Sequence, residues 1–265
     1  MNAITHHEQT FSLWSKQINP RVLVGGSGRP VIFLHGAGGL LWDDFLDALA
    51  RRYTVYAPEF PGTSPGEYDA IKQLDDWHDL VVYYSELIDE LGVQDALLVG
   101  HSFGGMIAAE IAAANPRSVA KLVLVSPLGL WRDDAPIAPW LSMNGAELSE
   151  LFFYDQDIAK RFMLSPEAAA TQPDLVLAAT WALACAGKFT WPIPDRGLRD
   201  RLHRISAPTL LVWGDKDALV APVYAEDFKT GLRDSRLKLI SNAGHALIHE
   251  RPAETAKAVV DFLGD

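Results

Sequence analysis

A chain of 265 residues, 49% of them hydrophobic and 22% charged, is long and apolar enough to bury a large core, which excludes a disordered polypeptide. Its formal net charge of −11, without a patch of basic residues, argues against nucleic acid as a partner and is typical of a soluble surface. The single cysteine, Cys185, excludes an intrachain disulfide and a multi-cysteine metal site.

The first residues of the chain, 1–16, contain His6, His7 and Glu8 and lack an apolar run. We therefore expect a loose terminus and no secretory signal. No stretch of the sequence has the length of apolar residues that a membrane-spanning helix needs. Together these features predict a protein of the cytoplasm or of an equivalent reducing compartment.

Short β-branched apolar runs alternate with longer helical patterns along the chain. The strand-type runs are residues 31–34, 54–57, 96–99, 122–125, 209–213 and 237–240. The helical patterns are residues 42–51, 74–91, 103–115 and 252–262. Strands that are apolar on both faces need helices on both sides, and strand–helix–strand alternation makes neighbouring strands parallel. The pattern predicts an α/β fold with a mostly parallel central sheet covered by helices on both faces.

Residues 128–202 interrupt this alternation. The interval has no strand-type run, is rich in aromatic side chains and is divided by prolines into helical stretches. Because an irregular loop of this length is implausible, we interpret it as a helical cap inserted in a core formed by residues 1–127 and 203–265. We expect Trp140 and Phe153 to line a substrate pocket between cap and core. The alternative is that such aromatic side chains form only the core of the insert.

Ser102 lies in the sequence Gly100-His-Ser-Phe-Gly104, directly between a strand-type run and a helical pattern. A tight strand-to-helix turn would hold the serine in a strained backbone conformation above the strand ends, and small residues would let strand and helix approach closely. Outside such a turn, a serine here would be interpreted as a helix cap. With a further glycine at Gly105, the context predicts that Ser102 is a nucleophile.

A serine hydroxyl needs a positioned base, and His245 is the best candidate. It follows the strand-type run 237–240 and precedes a helical pattern, so it should lie at the carboxyl end of a strand, where the sites of open α/β sheets form. The other histidines have simpler interpretations as terminal, packing or structural residues. They are His6, His7, His35, His78, His101, His203 and His249.

Two carboxylates, Asp215 and Asp217, follow the strand-type run 209–213 and are candidates for orienting the base. Asp217 lies deeper in the loop and precedes three apolar residues, which favours a buried position beside His245. Asp215 adjoins Gly214 and has the position of a turn-forming aspartate. We therefore predict Asp217 as the third member of the site.

The glycine-rich stretch 35–39 also follows a strand-type run. A tetrahedral intermediate needs N–H donors, and we expect these to be the backbone N–H groups of Phe103 and Ala37, with Gly38 as the alternative to Ala37. The stretch lacks the lysine and following serine or threonine of a nucleotide-binding loop. The residues of this turn expected to border the substrate are His35, Gly36 and Gly38.

These motifs resemble those of the α/β-hydrolase superfamily, and the resemblance extends from about residue 21 to residue 263. The matching segments are residues 35–39, 100–105, 213–217, 244–245 and 250–252. The order Ser102, Asp217, His245 along the chain is also that of this fold. A serine at position 102 distinguishes the chain from the dehalogenases and epoxide hydrolases of the fold, which use an aspartate nucleophile.

Within the superfamily the chain most resembles capped bacterial esterases and the related carbon–carbon bond hydrolases. The resemblance implies a carboxylesterase that acts on a small-molecule ester with a small to medium apolar acyl group, through an acyl-enzyme and without a metal or organic cofactor. The oligomeric state is left open.

Two alternatives remain. Carbon–carbon bond hydrolases of meta-cleavage products commonly carry a tryptophan where this chain has Ala246, and they use a cap arginine, for which Arg161 is the candidate. A non-catalytic ligand-binding receptor on the same fold is the alternative of another class.

Overall fold

The computed structural model describes residues 4–264, so the first three residues of the terminus that we expected to be loose lie outside it. The described strands are β1 His6–Thr10, β2 Arg21–Gly26, β3 Pro30–Leu34, β4 Thr54–Pro58, β5 Ala96–His101, β6 Val119–Val125, β7 Thr209–Gly214 and β8 Ser235–Ile240. They form one sheet in the order β1-β2-β4-β3-β5-β6-β7-β8. β1 and β2 pair antiparallel, as do β2 and β4, and the remaining pairs are parallel. The predicted mostly parallel sheet is confirmed.

The antiparallel strands β1 and β2 were not predicted, and β1 corrects the expectation of a loose terminus. His6 pairs with Gly25 and His7 with Val24, so both histidines belong to a strand at the edge of the sheet. The His6 ring also stacks on Trp42, with the ring centroids 4.6 Å apart. An edge strand has one partner and little burial, so its polar sequence carries no apolar pattern that would reveal it.

The described α-helices are α1 Asp44–Ala50, α2 Trp77–Glu90, α3 Phe103–Ala114, α4 Gly145–Phe152, α5 Gln156–Phe162, α6 Pro166–Thr171, α7 Pro173–Thr190, α8 Val223–Gly231, α9 Leu247–Glu250 and α10 Pro252–Gly264. Short 3₁₀ helices are Tyr68–Gln73, Trp140–Ser142, Leu198–Asp200 and Leu202–Arg204. None of the helices within residues 4–264 combines the length and the apolar character that crossing a bilayer would require.

Helices cover both faces of the sheet, as predicted. Side chains of β3 alternate between the two faces: Val31 and Phe33 pack with α1 and α10, whereas Ile32 and Leu34 pack with α2 and α3. The helical pattern expected from residue 74 starts later, at Trp77. Its start is set by Asp76, whose side chain accepts the N–H groups of the first turn of α2.

Between β6 and β7 the described chain has helices and irregular segments but no strand. Pro166 and Pro173 are the first residues of α6 and α7, a position where the missing N–H of proline costs no hydrogen bond. α7 has 18 residues and occupies most of the interval between Pro173 and Pro192, which contains no other proline. It packs on the loop after β4, where Trp181 Nε1 donates a hydrogen bond of 2.8 Å to the carbonyl of Gly62.

Candidate active site

Ser102 occupies a tight turn between β5 and α3. Its backbone angles, φ 54° and ψ −117°, lie in a region that non-glycine residues rarely adopt. A side chain on Gly100 would clash with the backbone of Gly104, and one on Gly104 would clash with the backbone of Leu34. Glycines are thus required for β5, α3 and β3 to converge, and the convergence places the serine at the carboxyl end of the sheet.

The structure brings Ser102, His245 and Asp217 together in one row of hydrogen bonds. His245 Nε2 lies 2.7 Å from Ser102 Oγ, and His245 Nδ1 lies 3.0 Å from Asp217 Oδ2. The three residues are 5%, 4% and 4% exposed, so little water competes for these bonds. Because a carboxylate only accepts, Nδ1 carries the proton, which leaves Nε2 free to accept the serine hydroxyl proton.

The loop after β7 gives its two aspartates different partners. Asp217 Oδ1 accepts the N–H groups of Leu219 and Val220, at 3.0 and 2.8 Å, which fixes the carboxylate with its other oxygen toward His245. Asp215 Oδ1 instead accepts the backbone N–H of Asn242 at 2.8 Å. Asp215 therefore ties this loop to the one after β8, in keeping with the turn role expected for it.

The glycine-rich turn after β3 lies against the serine. A Cβ atom placed on Gly36 would be 3.4 Å from Ser102 Cβ, and the turn is closed by a hydrogen bond of 3.3 Å from the N–H of Gly39 to the carbonyl of Gly36. Ala37 is half-buried in this turn, and Gly38 is exposed. Phe103 is the first residue of α3, so its N–H has no acceptor within the helix. Both expected oxyanion donors thus belong to segments that border Ser102.

Two buried histidines hold the backbone around the site. His35 Nδ1 donates to the carbonyl of Gly36 at 2.7 Å, and Nε2 accepts the N–H of Phe60 at 3.0 Å. Both nitrogens of the His35 ring are therefore used by backbone groups, so any contact of His35 with a substrate would not be a hydrogen bond from its ring. His101 Nε2 donates to the carbonyl of His245 at 3.0 Å.

Burial also sets the charge of these two histidines. Desolvation lowers the pKa of His35 below its ordinary value. For His101, desolvation is the largest cause and the nearby His245 ring the second, and together they hold the pKa well below its ordinary value. Both rings are therefore neutral at neutral pH, which suits their hydrogen bonds to backbone groups.

The two aromatic residues expected in a pocket lie in apolar clusters. Trp140 is buried in the large cluster between the sheet, α2, α3 and α7. Phe153 is buried in a small cluster with Ala246, and its ring stacks at 6.1 Å on Phe162. The neighbouring Phe152 faces the site instead, with its ring centroid 5.9 Å from that of His245.

Sequence reasoning missed Phe152 by one position, because the end of α4 decides which of two adjacent rings faces His245. It also missed Glu250, a 4% exposed carboxylate whose Oε2 accepts the N–H of Gly244 at 2.6 Å. The only sequence signal for Glu250 was its place in a motif shared with the superfamily. Within residues 4–264, no group of three or more His, Cys, Asp or Glu residues is arranged to hold a metal ion.

Comparison with known proteins finds a matching family model and several relatives. Residues 31–258 match the model of the Alpha/beta hydrolase family. The dihydrolipoyllysine-residue acetyltransferase component of the acetoin cleaving system of Cupriavidus necator is 32% identical over 250 residues, which are 91% of this chain and 65% of that protein. The chain thus spans less than two thirds of that relative.

Two further proteins match over most of their length. The 2-hydroxy-6-oxo-6-phenylhexa-2,4-dienoate hydrolase of Comamonas testosteroni is 29% identical over 269 residues, covering 90% of this chain and 88% of that protein. The crystal structure of a membrane phospholipase A, a bacterial virulence factor, matches with a TM-score of 0.79 and 26% identity, over 98% of this chain and 86% of that chain.

Proposed function

This chain belongs to the alpha/beta hydrolase family, and from that membership we propose that it is a serine hydrolase that cleaves carboxylic esters of small to medium apolar acids through an acyl-enzyme. The observation that carries the proposal is the buried row in which His245 lies 2.7 Å from Ser102 Oγ and 3.0 Å from Asp217 Oδ2. Such a row supplies a nucleophile, its base and the carboxylate that orients the base.

In the proposed reaction, Ser102 Oγ attacks the ester carbonyl carbon while His245 Nε2 accepts the hydroxyl proton. The N–H groups of Phe103 and Ala37 donate to the oxyanion of the tetrahedral intermediate, and Asp217 stabilises the imidazolium. The bond to the alcohol oxygen then breaks, and His245 protonates the leaving alcohol. A water molecule attacks the acyl carbon, gives its proton to His245 and releases the acid, and the proton returns to Ser102.

The proposed substrate class follows from the surroundings of the row. Residues 128–202 would form a cap over a core of residues 1–127 and 203–265, with the substrate bound between the two units. Phe152 supports this, because its ring lies 5.9 Å from the His245 ring and gives the space above the histidine an apolar wall. An apolar pocket with few polar groups favours an alkyl or aryl acyl chain over a charged one.

The direct test of the proposal is the variant Ser102→Ala with p-nitrophenyl butyrate as substrate. The variant should fold normally and lose several orders of magnitude in kcat, because only binding and the oxyanion donors remain. A fluorophosphonate should label the wild type and leave the variant unlabelled. A variant that keeps more than about a tenth of wild-type kcat would show that Ser102 is not the nucleophile. An unlabelled wild type would favour the ligand-binding receptor.

Identity of 29% to the Comamonas testosteroni hydrolase favours carbon–carbon bond cleavage as a second candidate function. Two features of this chain weigh against it. Position 246, where such hydrolases commonly carry a tryptophan, is an alanine buried in the small cluster around Phe153. Arg161, the candidate for their cap arginine, is exposed, with its guanidinium 5.9 Å from the ring of Phe162. Bleaching of a yellow meta-cleavage product faster than hydrolysis of p-nitrophenyl esters would select this second function.

A further inference from the structure

Glu250 is a buried carboxylate that joins two distant segments of the chain. Its Oε2 accepts the N–H of Gly244 at 2.6 Å, and its Oε1 accepts the N–H of Asp155 at 2.7 Å. Gly244 immediately precedes His245, and Asp155 lies in the turn between α4 and α5. A carboxylate removed from water needs such charge-assisted hydrogen bonds, so the two N–H groups are strongly held.

The turn after α4 also binds the other side of His245. The carbonyl of Phe152 accepts the N–H of Ala246 at 2.8 Å. A Cβ atom on Gly244 would lie 2.7 Å from the backbone nitrogen of Tyr154, so only glycine lets the two backbones approach this closely. The peptide groups on both sides of His245 are therefore held by Glu250 or by the turn that Glu250 binds.

The carbonyl of His245 itself accepts the hydrogen bond from His101 Nε2, at 3.0 Å. With the bonds at Gly244 and Ala246, the backbone is then fixed before, at and after the histidine. The Nε2 atom of His245 must stay within hydrogen-bond distance of Ser102 Oγ to accept its proton, so a small displacement of this backbone would cost reactivity. The side-chain hydrogen bonds of Glu250 go to the backbone N–H groups of Gly244 and Asp155 and not to Ser102 or the His245 ring, so its effect passes through the backbone.

We propose that Glu250 is a positioning residue for His245 and that its two hydrogen bonds couple the alignment of the histidine to the docking of the α4–α5 turn. This inference rests on the proposed function. It makes residues 152–155 part of the apparatus that aligns the base, in addition to any contact that this segment makes with a substrate.

Glu250→Gln tests the first half of the proposal, with Glu110→Gln as its matched control. Glu110 is also 4% exposed, but it lies in α3, and its two carboxylate oxygens accept hydrogen bonds from Arg201 instead of from the backbone beside His245. An amide at 250 has one acceptor oxygen and would direct its NH₂ group at a backbone N–H. We expect kcat and the rate of labelling by a small fluorophosphonate to fall about ten- to a hundredfold per folded molecule, with KM little changed.

Glu110→Gln should lower the thermal midpoint without slowing the labelling of the folded protein. Equal labelling rates for the two glutamine variants would overturn the positioning role, since both would then be only structural losses. If the wild type itself is not labelled, the proposed function is wrong and this inference falls with it. Labelling of the wild type separates the two failures.

A pair of variants at the other end tests the coupling to the turn. Asp155→Pro removes the N–H that Glu250 Oε1 accepts, whereas Asp155→Ala keeps it, and both remove the side chain that caps α5. The proline variant should label about ten times more slowly than the alanine variant, as expected for a lost bond to a charged group. Equal rates would confine the role of Glu250 to its own loop and overturn the coupling.

Discussion

Asp215 and Asp217 stand two positions apart in the loop after β7, yet they bind different groups, and this difference predicts different effects of mutation. Asp217→Asn would place an amide beside His245 Nδ1 and would remove the charge that stabilises the imidazolium. We expect kcat for p-nitrophenyl butyrate to fall by roughly 10⁴-fold, the loss typical of a neutralised triad aspartate. Asp215→Asn keeps an oxygen acceptor for the N–H of Asn242 and should cost much less. The reverse order would assign the orienting role to Asp215.

For individual residues, the sequence predicted which side chains would meet when each lies just beyond a strand. Ser102, Asp217 and His245 follow β5, β7 and β8, and the carboxyl ends of parallel strands meet at one edge of the sheet. Glu250 had no such signal. Its partner Asp155 is 95 positions away in the chain, and a backbone N–H in a distant turn leaves no mark on the local pattern.

Among the elements between β6 and β7, some aromatic side chains stabilise the packing, whereas Phe152 at the end of α4 faces His245. Trp140→Ala should lower the free energy of unfolding by about 3–5 kcal/mol, the cost of truncating a buried aromatic side chain. Phe152→Ala should lower it less, because this ring is half-buried. Only Phe152→Ala should change how kcat/KM varies with acyl length from acetyl to octanoyl. Urea denaturation and a series of p-nitrophenyl esters measure the two effects.

Phe153→Ala is the matched neighbour for this comparison, since its ring packs against Phe162 rather than facing the His245 ring. It should behave like Trp140→Ala, with reduced stability and an unchanged acyl-length profile. If Phe153→Ala altered the acyl-length profile and Phe152→Ala did not, the pocket would be lined by Phe153, the residue expected from the sequence.

The elements themselves could be predicted where burial is two-sided. The central strands carry continuous apolar runs because helices cover both faces, whereas β1 is polar because it lies at an edge. Helix α8 was missed for a different reason. Tyr224, Ala225 and Phe228 lie on one buried face with helical spacing, but nine residues are too few for that period to stand out beside the loops around it.

At the scale of the whole molecule, the two helix layers enclose the histidines that support the site. His35 and His101 lie at the carboxyl ends of neighbouring strands, β3 and β5, and both are buried. Their rings bind backbone groups of the turn after β3 and of the His245 loop. The fold therefore depends on two side chains that are neutral when buried but take up protons when the chain unfolds.

This burial predicts how stability changes with pH. An unfolded histidine binds a proton near its ordinary pKa of about 6.5, whereas burial lowers the pKa of both His35 and His101 in the folded state. Above that pH neither state is protonated at these positions. Below it the unfolded state binds more protons, so the free energy of unfolding falls as the pH falls. Each histidine contributes up to about 1.4 kcal/mol per pH unit until its folded form also protonates.

Urea denaturation of the wild type at pH 7.5 and pH 5.5 should therefore show a loss of up to about 3 kcal/mol from the two histidines together. His101→Gln removes the group whose pKa is lowered further, so its loss between these pH values should be clearly smaller, although the variant is less stable at both. Trp140→Ala is also less stable but removes no titratable group, so it should keep the full difference. Equal pH dependence in His101→Gln and the wild type would mean that His101 takes up its proton as readily in the folded state as in the unfolded chain, and would contradict the lowered pKa expected from its burial.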